Sequence, residues 1–282
     1  MTTIPLQLIW PWQDKRRRFS WLKAITFALM FAPAMWLLYQ VSAEYFGPTP
    51  LAGMTYWSGV WATALLLLTL AVTPVQTISR WSRLVAVRRM IGVTALVYTI
   101  AHIVIYFALR SWDFSFIANE TVTRFTLIVA TAATLGLIAL GATSLDVAIQ
   151  RMGGGWNRLH NTVYIFTALA IFHYLLSPGV FSSQYLMTGM FFWLMVWRWL
   201  NRRGAGADPR VLAMLAVTSG LFTALFEAGW IWAYHGYEPF WTLGNNFNLT
   251  FGVSPAWRVF SLGLLIALVP VAARAPRRRA AE

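Results

Sequence analysis

Eight long apolar stretches constrain what this chain can fold into more than any other feature. Each is close to the roughly 20 residues that an α-helix needs to cross the hydrocarbon core of a bilayer. They lie at residues 21–39, 57–73, 92–109, 123–142, 160–176, 185–200, 211–234 and 257–273. The chain is 59% hydrophobic and 11% charged, with a mean hydropathy of +0.60, which is typical of integral membrane proteins. The sequence therefore predicts an all-α, polytopic transmembrane helix bundle.

The predicted spans divide the chain into five segments. A basic N-terminal segment, residues 1–20, precedes a six-span domain at residues 21–200. A linker rich in arginine, glycine and alanine follows at 201–210, then a two-span extension at 211–273 and a basic tail at 274–282. The change from apolar residues to small and charged ones at the linker is typical of a boundary.

Positive charge is distributed unevenly between the predicted loops. With the N-terminus placed inside the cell, nineteen of the 22 Lys and Arg residues fall on the inner side, and only Arg110, Arg124 and Arg258 fall on the outer side. This asymmetry predicts a multi-pass membrane protein with both termini in the cytoplasm. The net charge of +13 therefore reflects topology and not a nucleic-acid partner. Sixteen tryptophans, many near predicted helix ends, indicate an aromatic belt in contact with membrane lipid.

Three of the four histidines lie in predicted spans, where histidine is rare and usually functional. His102 lies ten residues beyond the start of the span at 92–109, and His173 lies thirteen residues beyond the start of the span at 160–176. Both spans run from inside to outside, so we expect the two imidazoles at similar depth. Taken alone, His102 would fit a hydrogen-bonding role between helices equally well.

The matched pair of histidines predicts a haem-bearing membrane cytochrome. Imidazoles on neighbouring spans can fill both axial positions of a haem iron, which favours electron transfer because no coordination position remains for a substrate. The chain has no cysteine, which excludes disulfides, iron–sulfur clusters, thiol catalysis and covalently attached haem. Any haem must therefore be bound without a covalent link.

His160 lies at the inner end of the same predicted helix as His173. A step of thirteen residues along one straight helix leaves the two side chains about 140° apart around its axis. The span at 92–109 has no histidine at the matching depth, and Arg88 and Arg89 occur there instead. One haem between the facing pair is thus predicted, and a second, inner haem on His160 is left open. An imidazole at the interface could also face water or a propionate.

Other polar residues near the spans have more than one interpretation. Arg88 and Arg158 are positive-inside residues that could also pair with haem propionates or a flavin phosphate. Glu227 lies inside a span, where a carboxylate is a functional candidate, although it could instead pair with a nearby Trp, Tyr or Arg. His235 is interpreted as structural, and Asp146 as a residue that caps a helix end.

Proline and glycine residues give three local expectations. Pro74 cannot continue the backbone hydrogen-bond ladder, so we expect the second span to end at residue 73. Gly136 and Gly141 in the fourth span allow a neighbouring helix or a flat macrocycle to approach closely. Residues 153–155 are three glycines and are expected to form a flexible inner loop.

Several short motifs occur in order, with characteristic spacing, over about residues 15–200. They are Gly47-Pro48-Thr49-Pro50, Ser58-Gly59-Val60-Trp61, Leu70-Ala71-Val72-Thr73-Pro74, Arg88-Arg89-Met90-Ile91-Gly92 followed by Tyr98, His102 and Tyr106, then Thr143-Ser144, and Trp156-Asn157-Arg158-Leu159-His160 followed by Tyr164 and His173-Tyr174. Together they resemble the haem-binding membrane subunits of bacterial periplasmic methionine sulfoxide reductase systems, the MsrQ/YedZ type. That family belongs to the wider ferric-reductase-like transmembrane group.

The resemblance implies a b-type haem protein with a six-helix ferric-reductase-like core, to which this chain adds two C-terminal spans. His102 and His173 match the family's main haem pair, and His160 matches its third histidine. Arg88 occupies the position at which relatives with two haems have a further histidine. In such systems electrons come from a cytoplasmic NAD(P)H-flavin reductase or from quinol, and the resemblance leaves FMN binding open. They pass through the haem to a periplasmic molybdenum-containing reductase that repairs oxidised methionine.

Two other functions are compatible with the sequence. A ferric or metal-chelate reductase would use the same haem and differ only in its electron acceptor. A haem-free transporter or proton channel would use Glu227, Asp146 and the histidines, although the sequence shows neither an internal repeat nor a pair of broken helices. No segment is expected to fold as a soluble FAD or NAD domain, so either reductase would need a separate electron donor.

Overall fold

A computed structural model describes residues 10–14 and 16–274, and apart from one isolated β-bridge the regular secondary structure of these residues is helical. Residues 1–9, Lys15 and residues 275–282, which include most of the predicted basic tail, lie outside the described residues. The all-α prediction is confirmed. The helices are α1 (Trp21–Leu29), α2 (Ala32–Ser42), α3 (Pro50–Ser79), α4 (Val85–Leu109), α5 (Phe114–Thr123), α6 (Phe125–Ala142), α7 (Asp146–Met152), α8 (Gly154–Asn161), α9 (Val163–Leu175), α10 (Ser182–Arg202), α11 (Pro209–His235), α12 (Pro239–Phe247) and α13 (Pro255–Arg274).

Five helical segments of the described chain are long and apolar enough to cross a membrane. They are Trp21–Ser42, Pro50–Ser79, Ser82–Leu109, Phe125–Ala142 and Pro209–His235. The other three predicted spans are occupied by α9, α10 and α13, which are helical but shorter or less apolar. The fold is therefore a polytopic helical bundle, and the count of eight spans stays a prediction.

The first predicted span is interrupted, since α1 ends at Leu29 and α2 begins at Ala32. In one continuous helix the Ala34 N–H would donate to the Met30 carbonyl oxygen. The Tyr98 hydroxyl of α4 lies between these two groups instead. It accepts from the Ala34 N–H at 3.0 Å and donates to the Met30 oxygen at 2.9 Å. One hydroxyl thus satisfies both backbone groups and ties the break to α4.

α3 continues through Pro74, so the expectation that this helix ends at residue 73 is wrong. Proline has no N–H, and the Leu70 carbonyl one turn earlier therefore loses its helical donor. The Arg198 guanidinium of α10 replaces that donor, with Nη2 2.7 Å from the Leu70 oxygen. The same guanidinium lies 4.9 Å from the centroid of the Tyr164 ring. A charged group from another helix therefore allows the proline inside α3.

The C-terminal helices α11 and α13 share one apolar core with α3, α9 and α10. Buried side chains of this core come from all five helices, for example Leu70, Tyr174, Trp193, Leu212 and Ala267. Between α10 and α11, the Trp197 indole N–H donates to the Gly206 oxygen at 2.9 Å, so the predicted linker at 201–210 packs against α10. The extension is therefore continuous with the rest of the bundle in its packing.

We expect Arg198→Met to lower the thermal unfolding temperature of the detergent-solubilised protein, because the Leu70 carbonyl then has no donor. A hydrogen bond from a charged group contributes about 1.5–3 kcal/mol. Pro74→Ala should recover part of the loss in the double variant, since an alanine N–H can donate to Leu70. Arg202→Met, at the exposed end of α10, is the matched control. Equal losses in the single and double variants would contradict the role assigned to Arg198.

Candidate functional site

His102 of α4 and His173 of α9 face each other inside the bundle. Their ring centroids are 6.5 Å apart, and their ring planes are inclined at 74°. Both residues are half-buried. The structure thus brings together the two histidines whose depths were matched by counting residues along two predicted spans.

Each of these histidines is oriented by a backbone carbonyl of a neighbouring helix. His102 Nδ1 lies 2.8 Å from the Thr55 oxygen of α3, and His173 Nδ1 lies 3.0 Å from the Thr126 oxygen of α6. A carbonyl oxygen only accepts, so both Nδ1 atoms carry a proton and donate. Both Nε2 atoms then keep a lone pair that can bind a metal ion.

Two residues of α3 shape the space around His102. The Ser58 hydroxyl oxygen lies 3.2 Å from Nδ1 of the ring. A methyl group on Gly59 would lie 3.0 Å from Cε1, closer than carbon atoms normally pack. Because Gly59 has no side chain, the imidazole can lie directly against the α3 backbone.

The spacing of the two imidazole rings fits one haem iron bound between them. A metal ion bound by one nitrogen of each ring, with bonds of about 2 Å, places the ring centres roughly 6 Å apart. The described residues contain no group of three or more His, Asp or Glu side chains suited to a metal ion. A haem iron needs only two protein ligands, because the macrocycle supplies the other four. The pair therefore suits haem better than a metal ion bound by protein alone.

His160 lies apart from this pair, in α8. The expected single helix through His160 and His173 is wrong, because the chain turns at Thr162 between α8 and α9. His160 Nε2 lies 3.1 Å from the Thr143 hydroxyl oxygen, and its ring stacks on Trp156 at a centroid distance of 4.0 Å. The Trp156 indole N–H donates to the Thr143 carbonyl oxygen at 2.9 Å. His160 thus belongs to a small polar cluster after α6, and its role as a second haem ligand stays a prediction.

The arginines predicted to bind anions differ in their exposure. Arg88 is half-buried on α4, close enough to His160 for an electrostatic interaction, whereas Arg158 is exposed on α8. The neighbouring Arg89 forms an ion pair with Asp146 at the start of α7. Asp146 therefore ties α7 to α4. Binding of a propionate or a flavin phosphate by Arg88 or Arg158 stays a prediction.

The predictions for the glycines in the fourth span and for the three consecutive glycines compare differently with the structure. A methyl group on Gly136 would overlap the Phe166 ring of α9, and one on Gly141 would overlap Leu96 of α4, so neighbouring side chains fill the space at both positions. The expected flexible loop of three glycines is wrong. Only Gly153, with φ 48°, separates α7 from α8, and the next two glycines begin α8.

Glu120 is a buried carboxylate that sequence reasoning missed. It is 3% exposed on α5, a helix in the predicted outer loop. Tyr106, one turn beyond His102 on α4, donates its hydroxyl to Glu120 Oε2 at 2.5 Å. Arg110 Nε and Arg124 Nη2 lie 3.2 and 2.8 Å from the carboxylate oxygens. This cluster ties α5 to the part of α4 that carries His102.

Comparison with known families first defines the class of protein. Residues 58–171 match the family described as ferric reductase like transmembrane component. This region contains His102 with Ser58 and Gly59, begins three residues after Thr55 and ends two residues before His173. The helical bundle and the facing histidines thus belong to a ferric-reductase-like membrane protein.

Curated relatives then identify the family within this class. The protein-methionine-sulfoxide reductase heme-binding subunit MsrQ of Azospira oryzae is 32% identical, over 74% of this chain and 81% of its own length. The subunits of the same name from Cronobacter sakazakii and Yersinia enterocolitica are 31% and 32% identical, over 66% and 59% of this chain and 95% and 84% of their own lengths. No solved structure gives a significant match. The chain belongs to the MsrQ family.

We expect Glu120→Ala to destabilise the protein, because Arg110 and Tyr106 then lose their buried partner. Hydrogen bonds to a charged group contribute about 1.5–3 kcal/mol, and the partial exposure of Arg110 and Arg124 means that neither is left as a fully buried charge. Thermal unfolding in detergent measures the loss, with Glu44→Gln in an exposed loop as the control. A loss as small as that of the control would show that the cluster does not hold α5 in place.

Proposed function

We propose that this chain is the haem-binding membrane subunit of a methionine sulfoxide reductase system and carries electrons across the membrane to the reductase. Relatives named for that system support the proposal, since the chain covers most of their length. The structural observation that carries it is the facing pair of His102 and His173, both with Nδ1 on a backbone carbonyl. We assign these two histidines as the axial ligands of one haem iron.

The chain's own groups explain why this site would transfer electrons. The haem, when bound, supplies a one-electron redox couple. The Nε2 atoms of His102 and His173 would fill both axial positions, which leaves no coordination position for a substrate. The Thr55 and Thr126 carbonyls hold both rings in one tautomer, and a hydrogen bond to Nδ1 also strengthens Nε2 as a donor.

Further assignments extend this proposal. The haem is non-covalent, since the chain has no cysteine, and its b-type is what the resemblance to the MsrQ/YedZ type implies. His160 is the ligand available for a second haem, and Arg88 and Arg158 are the cations available for propionates or for an FMN phosphate. The electron donor is a cytoplasmic flavin reductase or quinol, and the acceptor is a periplasmic molybdenum-containing reductase. The charge distribution supports an inner-membrane location with both termini in the cytoplasm.

A metal-chelate reductase is the second candidate function, because the matched class is described as ferric reductase like. It would use the same histidine pair and differ only in its electron acceptor. The names of the relatives favour the sulfoxide reductase system instead. None of these names favours a haem-free transporter or channel.

We expect the purified protein to show a Soret band and split α and β bands on reduction, as low-spin haem does with two histidine ligands. His102→Ala and His173→Ala should each lower the haem content at least about tenfold, because one axial ligand is lost. His235→Ala, at the end of α11 beside Tyr234, is the matched control and should keep the full spectrum. Monodisperse His102→Ala protein with an unchanged spectrum would refute the ligand assignment.

The identity of the electron acceptor separates the two candidate functions. We expect the chemically reduced protein to be reoxidised by methionine sulfoxide only when a periplasmic sulfoxide reductase of the same system is added. The decrease in the α band of the reduced haem measures this reoxidation. Chelated ferric iron without that reductase is the comparison. Rapid reoxidation by the chelate, with no response to the sulfoxide and its reductase, would support a metal-chelate reductase instead.

A further inference from the structure

A cavity of about 400 Å³ lies in the C-terminal extension, away from the histidine pair. It is formed where α11 approaches α12 and the segment before α13, and Val180 between α9 and α10 completes the wall. Its polar lining includes Glu227 of α11 and Asn246 of α12, and its aromatic lining consists of Tyr237 and Trp241. The electron transfer proposed above uses none of these residues.

Two buried oxygen atoms of the cavity wall have no hydrogen-bond donor among the described residues. They are Glu227 Oε2 and Asn246 Oδ1. Asn246 is 5% exposed, its Nδ2 donates to the Thr242 oxygen at 3.2 Å, and its amide group is also close enough to interact with the Glu227 carboxylate. An unpaired buried acceptor is unfavourable, and more so when it carries charge. Both atoms therefore point to a ligand that donates hydrogen bonds.

The charge of Glu227 also has no counter-charge within the cavity. The described residues that line the cavity include no Lys or Arg. The Tyr185 hydroxyl of α10 is close enough to interact electrostatically with Glu227, but it is neutral and is itself buried and unpaired. An ionised carboxylate between the apolar side chains of Val180 and Ile231 is unfavourable without a positive partner. The ligand should therefore bring a positive charge as well as donors.

The aromatic residues of the cavity fit a cationic ligand. Tyr237 and Trp241 are 58% and 66% exposed, so both rings are reachable from outside the cavity. The faces of Tyr and Trp rings attract cations. Tyr and Trp are also the residues that concentrate at the membrane–water interface. The cavity therefore lies where an amine from the lipid head-group region or from solution can enter.

We propose that this cavity binds a primary ammonium group. Such a group has three N–H donors and one positive charge, so it can pair with Glu227 Oε2 and Asn246 Oδ1 at the same time. Two sources offer this chemistry: the head group of phosphatidylethanolamine and a free alkyl amine. A trimethylammonium group has no N–H donor and would leave both oxygens unpaired. The proposal does not depend on the haem role.

Native mass spectrometry of the full-length protein in detergent, incubated with phosphatidylethanolamine, phosphatidylcholine or phosphatidylglycerol, tests the lipid source. Calorimetric titration with ethanolamine tests the free amine. We expect the preferred ammonium compound to bind at least about tenfold more tightly than its trimethylated counterpart, phosphatidylcholine or choline, because hydrogen bonds to a charged group are lost on methylation. Glu227→Gln and Asn246→Ala should each remove this preference, whereas Glu44→Gln, in an exposed loop, should keep it.

Retention of phosphatidylethanolamine without ethanolamine binding supports the site and assigns the lipid as its ligand. Ethanolamine binding that is lost in Glu227→Gln supports the site and assigns a free amine. Equal retention of all three lipids together with no ethanolamine binding overturns the proposal, and so does unchanged binding by folded Glu227→Gln. If either Glu227→Gln or Asn246→Ala does not fold, the other variant still tests the proposal. The comparison of ligands on the unaltered chain tests it independently. The haem content of Glu227→Gln should equal that of the unaltered protein. This separates the binding result from the test of the histidine pair.

Discussion

Two hydrogen bonds from histidine rings to the helix backbone fix the orientation of His102 and His173 inside the bundle. The Thr55 and Thr126 carbonyl oxygens lie on α3 and α6 and each accepts from an imidazole N–H, and the Thr55 oxygen also accepts from the Ser58 hydroxyl at 3.0 Å. Because both acceptors belong to the backbone, their positions depend on how α3 packs against α4 and α6 against α9, and not on side-chain rotamers. The positions of the two Nε2 atoms, the proposed iron ligands, therefore follow from the packing of four helices.

Backbone groups that irregular helices leave unpaired are satisfied by residues distant in sequence, and this limits what local patterns can predict. Hydropathy correctly located the long helices of the bundle, although it did not show the shorter helices α5, α7 and α12 between the spans. It could not show that α3 passes through Pro74, since the donor for the Leu70 carbonyl is Arg198, 128 residues further along the chain. Nor could it show that the Tyr98 hydroxyl bridges the break between α1 and α2. In apolar surroundings such groups have no water to bond, so a side chain must take its place.

The histidine site was predictable only where helix geometry alone decides the position. The rise per residue of a helix is fixed, so counting from the span ends gave similar depths for His102 and His173. Counting also placed His160 apart from this pair, but it could not show the break between α8 and α9, because Thr162 is neither proline nor glycine. Glu120 was missed because it lies outside the apolar windows, on a loop helix whose approach to α4 depends on tertiary packing. The signal that could have found it was a carboxylate close in sequence to two of the three basic residues on the predicted outer side.

The C-terminal extension also contributes to the position of the histidine pair. α9 has only 13 residues, and a helix of that length takes most of its stability from tertiary packing. Phe226 and Trp230 of α11 stack at 5.9 Å, and Trp230 meets Phe172, the residue before His173, at 6.2 Å between ring centroids. Glu227 of the cavity lies between these two aromatic residues in the sequence. One helix of the extension therefore both supports the helix that carries His173 and forms the wall of the cavity, so the extension is a structural part of the site.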